Sequence, residues 1–282
     1  MKNKGIIVIN KPAGWTSFDV VNKLKYKVKP LKVGHLGTLD PMATGVLLVT
    51  IGKATKLFDI MQEKRKTYIA TFEFGFETDT LDNTGKETAT CDNIPTLNEI
   101  LGVLPKFIGK ISQLPPKYSA KSINGVRAYD LARQNIEFEL KPKEVDVYQI
   151  KLISYENNQL KLEIECGSGT YIRSIGRDIA YELNSLATMT NLVRTKIGYF
   201  DLKDCVNIEQ INEDLDNQII SVNSVLQFEN LNLTNIDKQK LLNGQTIQTG
   251  YQDGTYSIVD EDDVVALIKI KDFKAKMSLF LG

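Results

Sequence analysis

The residue types best suited to catalysis are concentrated between Gly34 and Gly45. This stretch holds three glycines, a proline and the only histidine of the chain, and it surrounds one aspartate, Asp40. Closely spaced glycines permit unusual backbone angles and close approach of a ligand. Because a buried strand is predicted from Val46, Asp40 would be held rigidly at its start, as a catalytic carboxylate requires. The residues alone also fit a structural turn in which Asp40 caps its own backbone before Pro41.

Other catalytic chemistries find no matching pattern in the sequence. One histidine and no Cys-x-x-Cys leave no zinc-ligand spacing, and no Gly-x-Ser-x-Gly elbow accompanies the histidine. Residues 52–55 lack the upstream glycine and the Ser or Thr of a phosphate-binding loop. Residues 167–169 lack the third glycine of a dinucleotide site. We therefore expect no metal and no nucleotide cofactor, and a reaction that uses side chains alone.

The flanking sequence predicts the elements that position Asp40. Apolar runs, alternation and turn residues predict strands at residues 5–9, 46–51, 67–76, 145–155 and 159–166. Caps and apolar spacing predict helices at residues 17–28, 54–61, 96–104, 126–134, 171–183 and 236–242. Because strands and helices do not alternate regularly, we expect an α+β fold with a mixed, largely antiparallel sheet flanked by helices.

Composition indicates a soluble protein of the cytoplasm. Hydrophobic residues make up 42% and charged residues 25% of the 282 positions. No apolar stretch reaches the ~20 residues of a membrane helix, and the first residues do not resemble a secretory signal. The three cysteines lie far apart, which favours free thiols in a reducing compartment.

Charge is unevenly distributed along a chain whose formal net charge is zero. Residues 1–66 carry a balance of +9, residues 101–143 a balance of +5, and residues 201–282 a balance of −7. Two basic stretches are what a surface that binds a polyanion would need. A solvated lysine-rich face explains the charge equally well.

Residues 34–45 read Gly-His-x-Gly-x-Leu-Asp-Pro-x-Ala-x-Gly, which resembles the signature of the TruB-type pseudouridine synthases. Further motifs resemble those of this family and stand in the same order as in the family. One precedes the signature, at residues 11–17, and the others lie at residues 66–68, 75–82, 113–129, 169–174 and 192–198. The resemblance covers roughly residues 5–200. Departures from the family pattern are Asn10, Phe18, and Ala187-Thr188 in place of a usual Ala-His.

The resemblance implies that the chain converts uridine 55 in the T-loop of tRNA to pseudouridine, an isomerisation that needs no cofactor. Asp40 would be the catalytic carboxylate, which either stabilises or attacks the sugar as in glycosidases, or removes a ribose proton. Arg173 would be its ion-pair partner; the alternative is a phosphate contact on a helix surface. Tyr68 would stack on the uracil and help to remove the carbon 5 proton, although a strand tyrosine is commonly a core residue.

The same resemblance implies how RNA is held. A uridine inside a folded arm must be flipped out, and His35 would occupy the space left behind. Leu192 would pack on the other side of the base, and Lys11 would contact the substrate region or support the Asp40 loop. Ordinary roles in the loop and in the core remain open for His35 and Leu192. Residues 106–143, which we call the thumb, would close over the RNA stem, with phosphate contacts from Lys117, Lys121, Arg127 and Arg133.

The same resemblance implies the domain organisation. We expect a catalytic domain of the pseudouridine synthase fold at residues 1–228 and a small PUA-like RNA-binding β domain at residues 229–282. A monomer would suffice, since gripping one RNA arm needs no second subunit. Two other hypotheses stay open: a non-catalytic RNA-binding or tRNA-folding protein on the same scaffold, and a synthase acting on another RNA.

Overall fold

The structure is a computed structural model that describes residues 3–62, 64–123, 125–134, 136–211, 215–226, 228–261 and 263–282. Its strands are β1 (Lys4–Lys11), β2 (Val33–His35), β3 (Thr44–Gly52), β4 (Lys66–Phe74), β5 (Phe76–Thr78), β6 (Glu87–Thr90), β7 (Gly109–Gln113), β8 (Ser122–Ile123), β9 (Val126–Arg127), β10 (Lys143–Glu156), β11 (Gln159–Cys166), β12 (Ala187–Ile197), β13 (Phe200–Asp201), β14 (Val206–Asn207), β15 (Ile247–Gln248), β16 (Gly254–Asp260), β17 (Asp263–Lys271) and β18 (Lys274–Phe280). Its α-helices are α1 (Ser17–Lys27), α2 (Phe58–Gln62), α3 (Leu97–Val103), α4 (Ala128–Arg133), α5 (Ile172–Glu182), α6 (Leu215–Gln218), α7 (Val222–Val225) and α8 (Asn235–Leu242).

One large mixed sheet organises the first three quarters of the chain. Its strands follow the order β14, β1, β3, β12, β4, β11, β10, β7, with β2 beside β3 and β13 beside β12. Only the β1–β14 and β3–β12 pairs are parallel among the described strands of this sheet. Smaller two-stranded sheets pair β5 with β6 and β8 with β9. The predicted α+β fold with a mixed, largely antiparallel sheet is confirmed.

Helix α1 forms where its cap and apolar spacing predict it. The hydroxyl of Thr16 accepts a hydrogen bond from the backbone N–H of Asp19, and the Asp19 carboxylate accepts one from the backbone N–H of Thr16. This capping box satisfies two N–H groups that the first turn leaves free. Val20, Val21 and Leu24 recur at helical spacing and are buried against β1 and β3.

Helix α5 packs on the other half of the same sheet face. Its Ile175 and Ile179 are fully buried against alternate residues of β4, including Ala70 and Phe72. A Cβ at Gly176 would collide with the Phe72 ring, so glycine permits the close approach of helix and strand. Register across β1, β3, β12 and β4 places the side chains that face α1 and those that face α5 on one side of the sheet. The Asp40 loop therefore lies between two helices that share a face.

The C-terminal residues form an antiparallel sheet in the order β15, β18, β17, β16. Leu241 of α8 lies with Ile258 and Ile268 in a core of its own. Val264 and Leu267 instead join the hydrophobic cluster that contains Ile6 and Val8 of β1. The sheet thus has its own core and also shares one with the larger sheet, while the domain boundary at residue 228 stays a prediction.

Lys4 strengthens the junction between the two sheets. Its Nζ is buried, donates to the carbonyls of Val264 and Leu281 at 2.9 Å each, and lies 3.1 Å from the Asp263 carboxylate. Since a buried ammonium needs such partners, the side chain links the first strand to the end of the chain. No helix among the described residues has the length and apolarity to cross a bilayer.

Several sequence predictions differ from the structure. The helix predicted at residues 54–61 is a 3₁₀ helix over Lys53–Leu57 and an α-helix only from Phe58, and the strand predicted at residues 67–76 ends at Phe74. The helix predicted at residues 126–134 begins only at Ala128, because Val126 and Arg127 pair with Ser122 and Ile123 in a small hairpin. The central strand β12 was not predicted, although it joins the two halves of the large sheet. Its alternation is interrupted where its pairing with β4 shifts register, at residues 189–191 and 194–196, and its buried face carries the charged Arg194.

Candidate active site

Asp40 lies in the loop between β2 and β3, and neighbouring segments hold this loop on one side. The Ser17 hydroxyl, at the start of α1, accepts from the Leu39 N–H at 2.9 Å. The N–H of Gly14 donates to the Pro41 carbonyl at 2.9 Å. Lys11 is fully buried, and its Nζ donates to the carbonyls of Pro12, Trp15 and Pro41. Of the two roles considered for Lys11, this geometry fits support of the loop and leaves no surface for RNA contact.

Burial also affects the protonation of Lys11. It lowers the pKa of the Lys11 ammonium to about 8, and the nearby Asp40 carboxylate opposes the shift. The group is still protonated at neutral pH, so it can donate to all three carbonyls. A second positive charge therefore lies close to Asp40.

Arg194 holds the same loop from inside the protein. It is 1% exposed, and its guanidinium donates to the carbonyls of Val46 at 2.7 Å, Gly37 at 3.2 Å and Thr38 at 3.3 Å. Gly45 has a φ of +105°, and a Cβ there would collide with the Arg194 backbone. This explains why glycine ends the motif, and it makes Arg194 a structural cation beneath the candidate site.

The Asp40 carboxylate meets the guanidinium of Arg173 side-on. Nη2 donates to Oδ1 at 3.1 Å, whereas Nε lies 3.0 Å from Oδ2 as an ion contact without the alignment of a hydrogen bond. One charge-assisted hydrogen bond and one close ion contact hold the carboxylate beside the guanidinium. The Asp40 side chain is 31% exposed and that of Arg173 only 6%. Arg173 therefore lies behind Asp40, inside the protein, and not on the helix surface that a phosphate contact would need.

Arg173 is shared with a second carboxylate. Its Nη1 donates to the Thr80 carbonyl at 2.9 Å and lies 3.3 Å from Oδ2 of Asp82. Asp82 is buried, and its Oδ1 accepts from the Thr80 hydroxyl and from the Thr84 N–H. One guanidinium thus bridges two carboxylates, which leaves the cluster with a negative balance before Lys11 is counted.

These charges oppose one another at Asp40. Burial raises the pKa of the Asp40 carboxyl above its usual range, Arg173 and Lys11 lower it, and Asp82 raises it further. The group therefore gains a proton at a higher pH than an exposed aspartate does. Arg173 is the principal feature that favours the ionised form.

Tyr68 and Leu192 lie beside this ion cluster on neighbouring strands. Tyr68 of β4 is directly opposite Arg194 of β12, and Leu192 is opposite Ala70. Both side chains belong to the hydrophobic cluster that includes Leu39, and both are less than a tenth exposed. Burial raises the pKa of the Tyr68 phenol, so this group is neutral at physiological pH. Together they form an apolar floor next to the carboxylate.

His35 ends β2 at the entrance to the Asp40 loop. It is half-buried, and its Nδ1 has no hydrogen-bond partner among the described residues. Burial lowers the pKa of the imidazole, and the positive charge of Arg194 lowers it further. The ring is therefore neutral at pH 7 and has a free polar atom at the edge of the site.

The thumb is anchored to the helix that carries Arg173. Gln113 is buried, and its amide bonds twice to the backbone of Tyr171, with Nε2 donating to the carbonyl at 3.1 Å and Oε1 accepting from the N–H at 2.8 Å. The Tyr118 carbonyl accepts from Nη2 of Arg173 at 3.0 Å. Ser174 and Arg177 both donate to the Leu114 carbonyl. The thumb base and the candidate active site therefore share hydrogen bonds.

The four basic thumb residues differ in their surroundings. Lys117 is exposed, and Arg133 is exposed with its guanidinium 5.5 Å from the centre of the Tyr129 ring. Lys121 donates to the Lys141 carbonyl and Arg127 to the Ala120 carbonyl, so both cations also hold the thumb together. These positions leave Lys117 and Arg133 as the freest cations of the four.

Arg194 and Asp82 were not predicted as site residues, although they lie within the motifs at residues 192–198 and 75–82. The signal for Arg194 was a cation directly after the apolar Leu192 and Val193 in a run of β-branched residues, where a charge needs buried partners. Asp82 stands in a turn-rich segment, where an aspartate commonly bonds only to its own backbone. No group of three or more His, Cys, Asp or Glu side chains that could hold a metal ion occurs in the described ranges.

The sequence of the chain is similar to those of known proteins. The profile of the TruB family of pseudouridylate synthases, N-terminal domain, matches residues 23–172. The tRNA pseudouridine synthase B of Mycoplasma mobile is 39% identical over 282 residues, which cover 99% of this chain and 95% of that protein. The chain belongs to the TruB family. Another member, tRNA pseudouridine synthase B of Clostridium kluyveri, is 37% identical and covers 97% of this chain and 98% of its own.

Solved structures show that this TruB-family chain also shares its fold with more distant proteins. A chain in the crystal structure of a Cbf5–Nop10–Gar1 complex superimposes with a TM-score of 0.73 at 22% identity, over 99% of this chain and 85% of that one. A chain of an H/ACA RNP bound to a substrate RNA containing 2′-deoxyuridine gives a TM-score of 0.71 at 21% identity, with the same coverage. The pseudouridine synthase fold is therefore shared well beyond the close relatives.

Proposed function

We propose that this TruB-family protein isomerises uridine 55 in the T-loop of tRNA to pseudouridine, with Asp40 as the catalytic carboxylate. The observation that carries the proposal is the side-on Asp40–Arg173 pair at the edge of an apolar floor. The close relatives are tRNA pseudouridine synthases B, which supports tRNA as the substrate.

The reaction balances without a redox partner or an added group. The bond from ribose carbon 1′ to N1 of uracil breaks, the base turns, and carbon 1′ bonds to carbon 5. Carbon 5 loses a proton and N1 gains one. Cleavage develops positive charge on the sugar, and an ionised carboxylate beside it stabilises that charge. Arg173 keeps Asp40 ionised and oriented for this purpose.

The remaining site residues serve the base. A flipped uracil rests on the apolar floor between Tyr68 and Leu192, and the Tyr68 hydroxyl helps to remove the carbon 5 proton. His35, half-buried with a free Nδ1, fills the space that the flipped nucleotide vacates. Lys11 and Arg194 act through the loop that carries Asp40.

The thumb grips the RNA stem through phosphate contacts from Lys117, Lys121, Arg127 and Arg133. The small C-terminal sheet serves as a PUA-like RNA-binding domain from residue 229. We further propose that the protein acts in the cytoplasm, as a monomer and without a nucleotide cofactor. Size-exclusion chromatography with light scattering tests the monomer directly, and a mass twice that of the chain would contradict it.

The test is tritium release from a tRNA transcript labelled at carbon 5 of uridine. The control transcript carries cytidine at position 55. Release that disappears with the control supports both the reaction and its position, whereas equal release from both transcripts rejects position 55. Absence of release from either, with tRNA binding intact, favours the non-catalytic RNA-folding hypothesis.

A further inference from the structure

Helix α1 has an exposed surface that the proposed catalytic role does not use. Phe18 is 63% exposed and Tyr26 is 75% exposed. They stand eight residues apart with Asn22 midway, so the three residues form one stripe along the solvent side of the helix. Single exposed apolar residues are common, but two large aromatics on one short stripe leave much ring surface in water. We call this stripe and the lysines around it the α1 surface.

Two shallow grooves flank the stripe at Asn22. The first, about 280 Å³, runs from Phe18 past Lys25 to Lys32, Val33 and Gly34. The second, about 440 Å³, lies between Trp15 and Tyr26. Each groove therefore has an aromatic ring at its side and a lysine at its edge.

The charge around the α1 surface is almost entirely positive. Residues 16–34 contain five lysines and one acidic residue, a balance of +4. All five lysines are exposed: Lys23, Lys25, Lys27, Lys29 and Lys32. The one acid, Asp19, has its carboxylate bonded to Thr16 in the helix cap. The Nζ of Lys29 lies 4.9 Å from the centre of the Tyr26 ring, so a positive charge and an aromatic ring are adjacent on this surface.

The α1 surface is continuous with the candidate active site. The first groove reaches Gly34, the residue before His35, and α1 begins at Ser17, which bonds to Leu39 beside Asp40. Helix α1 also lies on the same face of the sheet as Tyr68. With 11 residues it extends roughly 16 Å away from the Asp40 loop. A strand of RNA that has one base at Asp40 can therefore continue along it.

We propose that the α1 surface binds unpaired nucleotides of the substrate RNA that lie outside the stem-loop carrying the target uridine. Bases stack on Phe18 and Tyr26, and the lysines contact the phosphates, as in proteins that bind single-stranded nucleic acid. Five exposed lysines against one acid, Asp19, which also lines the second groove, favour RNA over a protein partner. The inference rests on the proposed function, because it takes the same RNA to occupy the cleft at Asp40.

The test compares two ligands, the unmodified full-length tRNA transcript and its isolated T-arm stem-loop. Phe18→Ala/Tyr26→Ala raises the Kd for full-length tRNA about 30-fold, or about 2 kcal/mol, which is the low end of the range for loss of two stacked bases. The Kd for the stem-loop changes less than twofold. Leu97→Ala/Leu101→Ala is the control, since it removes two exposed apolar side chains from α3 and leaves both Kd values unchanged.

A second variant tests the phosphate contacts. Lys25→Gln/Lys29→Gln lowers the slope of log Kd against log salt by about 2 for full-length tRNA only. Unchanged binding of full-length tRNA by both variants overturns the proposal. Equal loss with both ligands also overturns it, because the α1 surface would then belong to stem-loop binding. Tritium release by the wild-type protein is measured in parallel, so failure of the proposed function is seen separately.

Discussion

Replacing Arg194 by methionine should destabilise the protein and displace the loop that carries Asp40. Methionine keeps much of the aliphatic stem but removes the guanidinium that bonds to the carbonyls of Gly37, Thr38 and Val46. Two of these acceptors precede Asp40 in the same loop. The substitution therefore disturbs the packing of the protein and the position of the carboxylate together.

The size of the effect follows from the three contacts. A hydrogen bond to a charged donor contributes about 1.5–3 kcal/mol, and the carbonyls left behind are shielded from water. The bond to Val46 is short, at 2.7 Å, whereas the other two exceed 3.1 Å and count at the low end. We expect the free energy of unfolding to fall by roughly 4.5–6 kcal/mol. This corresponds to a decrease in Tm of roughly 9–24 °C for a chain of this size.

Urea unfolding followed by circular dichroism measures the loss, and single-turnover tritium release measures the effect on catalysis. Arg65→Met is the matched control, because Arg65 is 61% exposed and pairs with Glu165 at the surface. A surface pair contributes about 0–1 kcal/mol, so this variant stays near wild type. If Arg194→Met were within 1 kcal/mol of wild type and fully active, the role assigned to Arg194 would be wrong.

Three further predictions concern other contacts. Asp82→Asn removes a negative charge that raises the pKa of Asp40. Because ionised Asp40 is the active form and activity falls as pH falls through its pKa, the acid limb of the kcat/KM profile moves to lower pH. An acid limb that stays in place contradicts the coupling of the two carboxylates. Lys4→Met removes the buried link to the C-terminal sheet and lowers the free energy of unfolding by about 3–6 kcal/mol with kcat unchanged; a chemical denaturation curve equal to that of wild type would reject this. Lys117→Gln lowers the salt slope of tRNA binding by about 1, and an unaltered slope would remove this residue from the phosphate contacts.

The sequence predicted the elements whose formation depends on residues close together in the chain. The hairpin of β10 and β11 turns at Asn157 and Asn158, whose φ angles of 50° and 64° are those a tight hairpin turn needs and asparagine tolerates. Helix α1 was predicted from its cap and apolar spacing. Both features depend on residues within a few positions of one another.

Elements defined by distant partners were harder to predict. Strand β12 shifts register against β4 at residues 189–191 and 194–196, which interrupts its alternation. Its five Thr, Val and Ile residues were the remaining signal. Arg194 and Asp82 acquire their roles only when the fold brings them to residues far away in the chain. The family motifs pointed to Asp40 and Arg173, but the second carboxylate on Arg173 emerged only from the geometry.

The central claim, that Asp40 performs the isomerisation, is tested most directly by tritium release from carbon-5-labelled tRNA with Asp40→Asn. Asparagine keeps the size of the side chain and removes the charge that stabilises the sugar. We predict that tRNA binding remains within a few-fold of wild type while release falls to background. Release at the wild-type rate by Asp40→Asn would contradict the account.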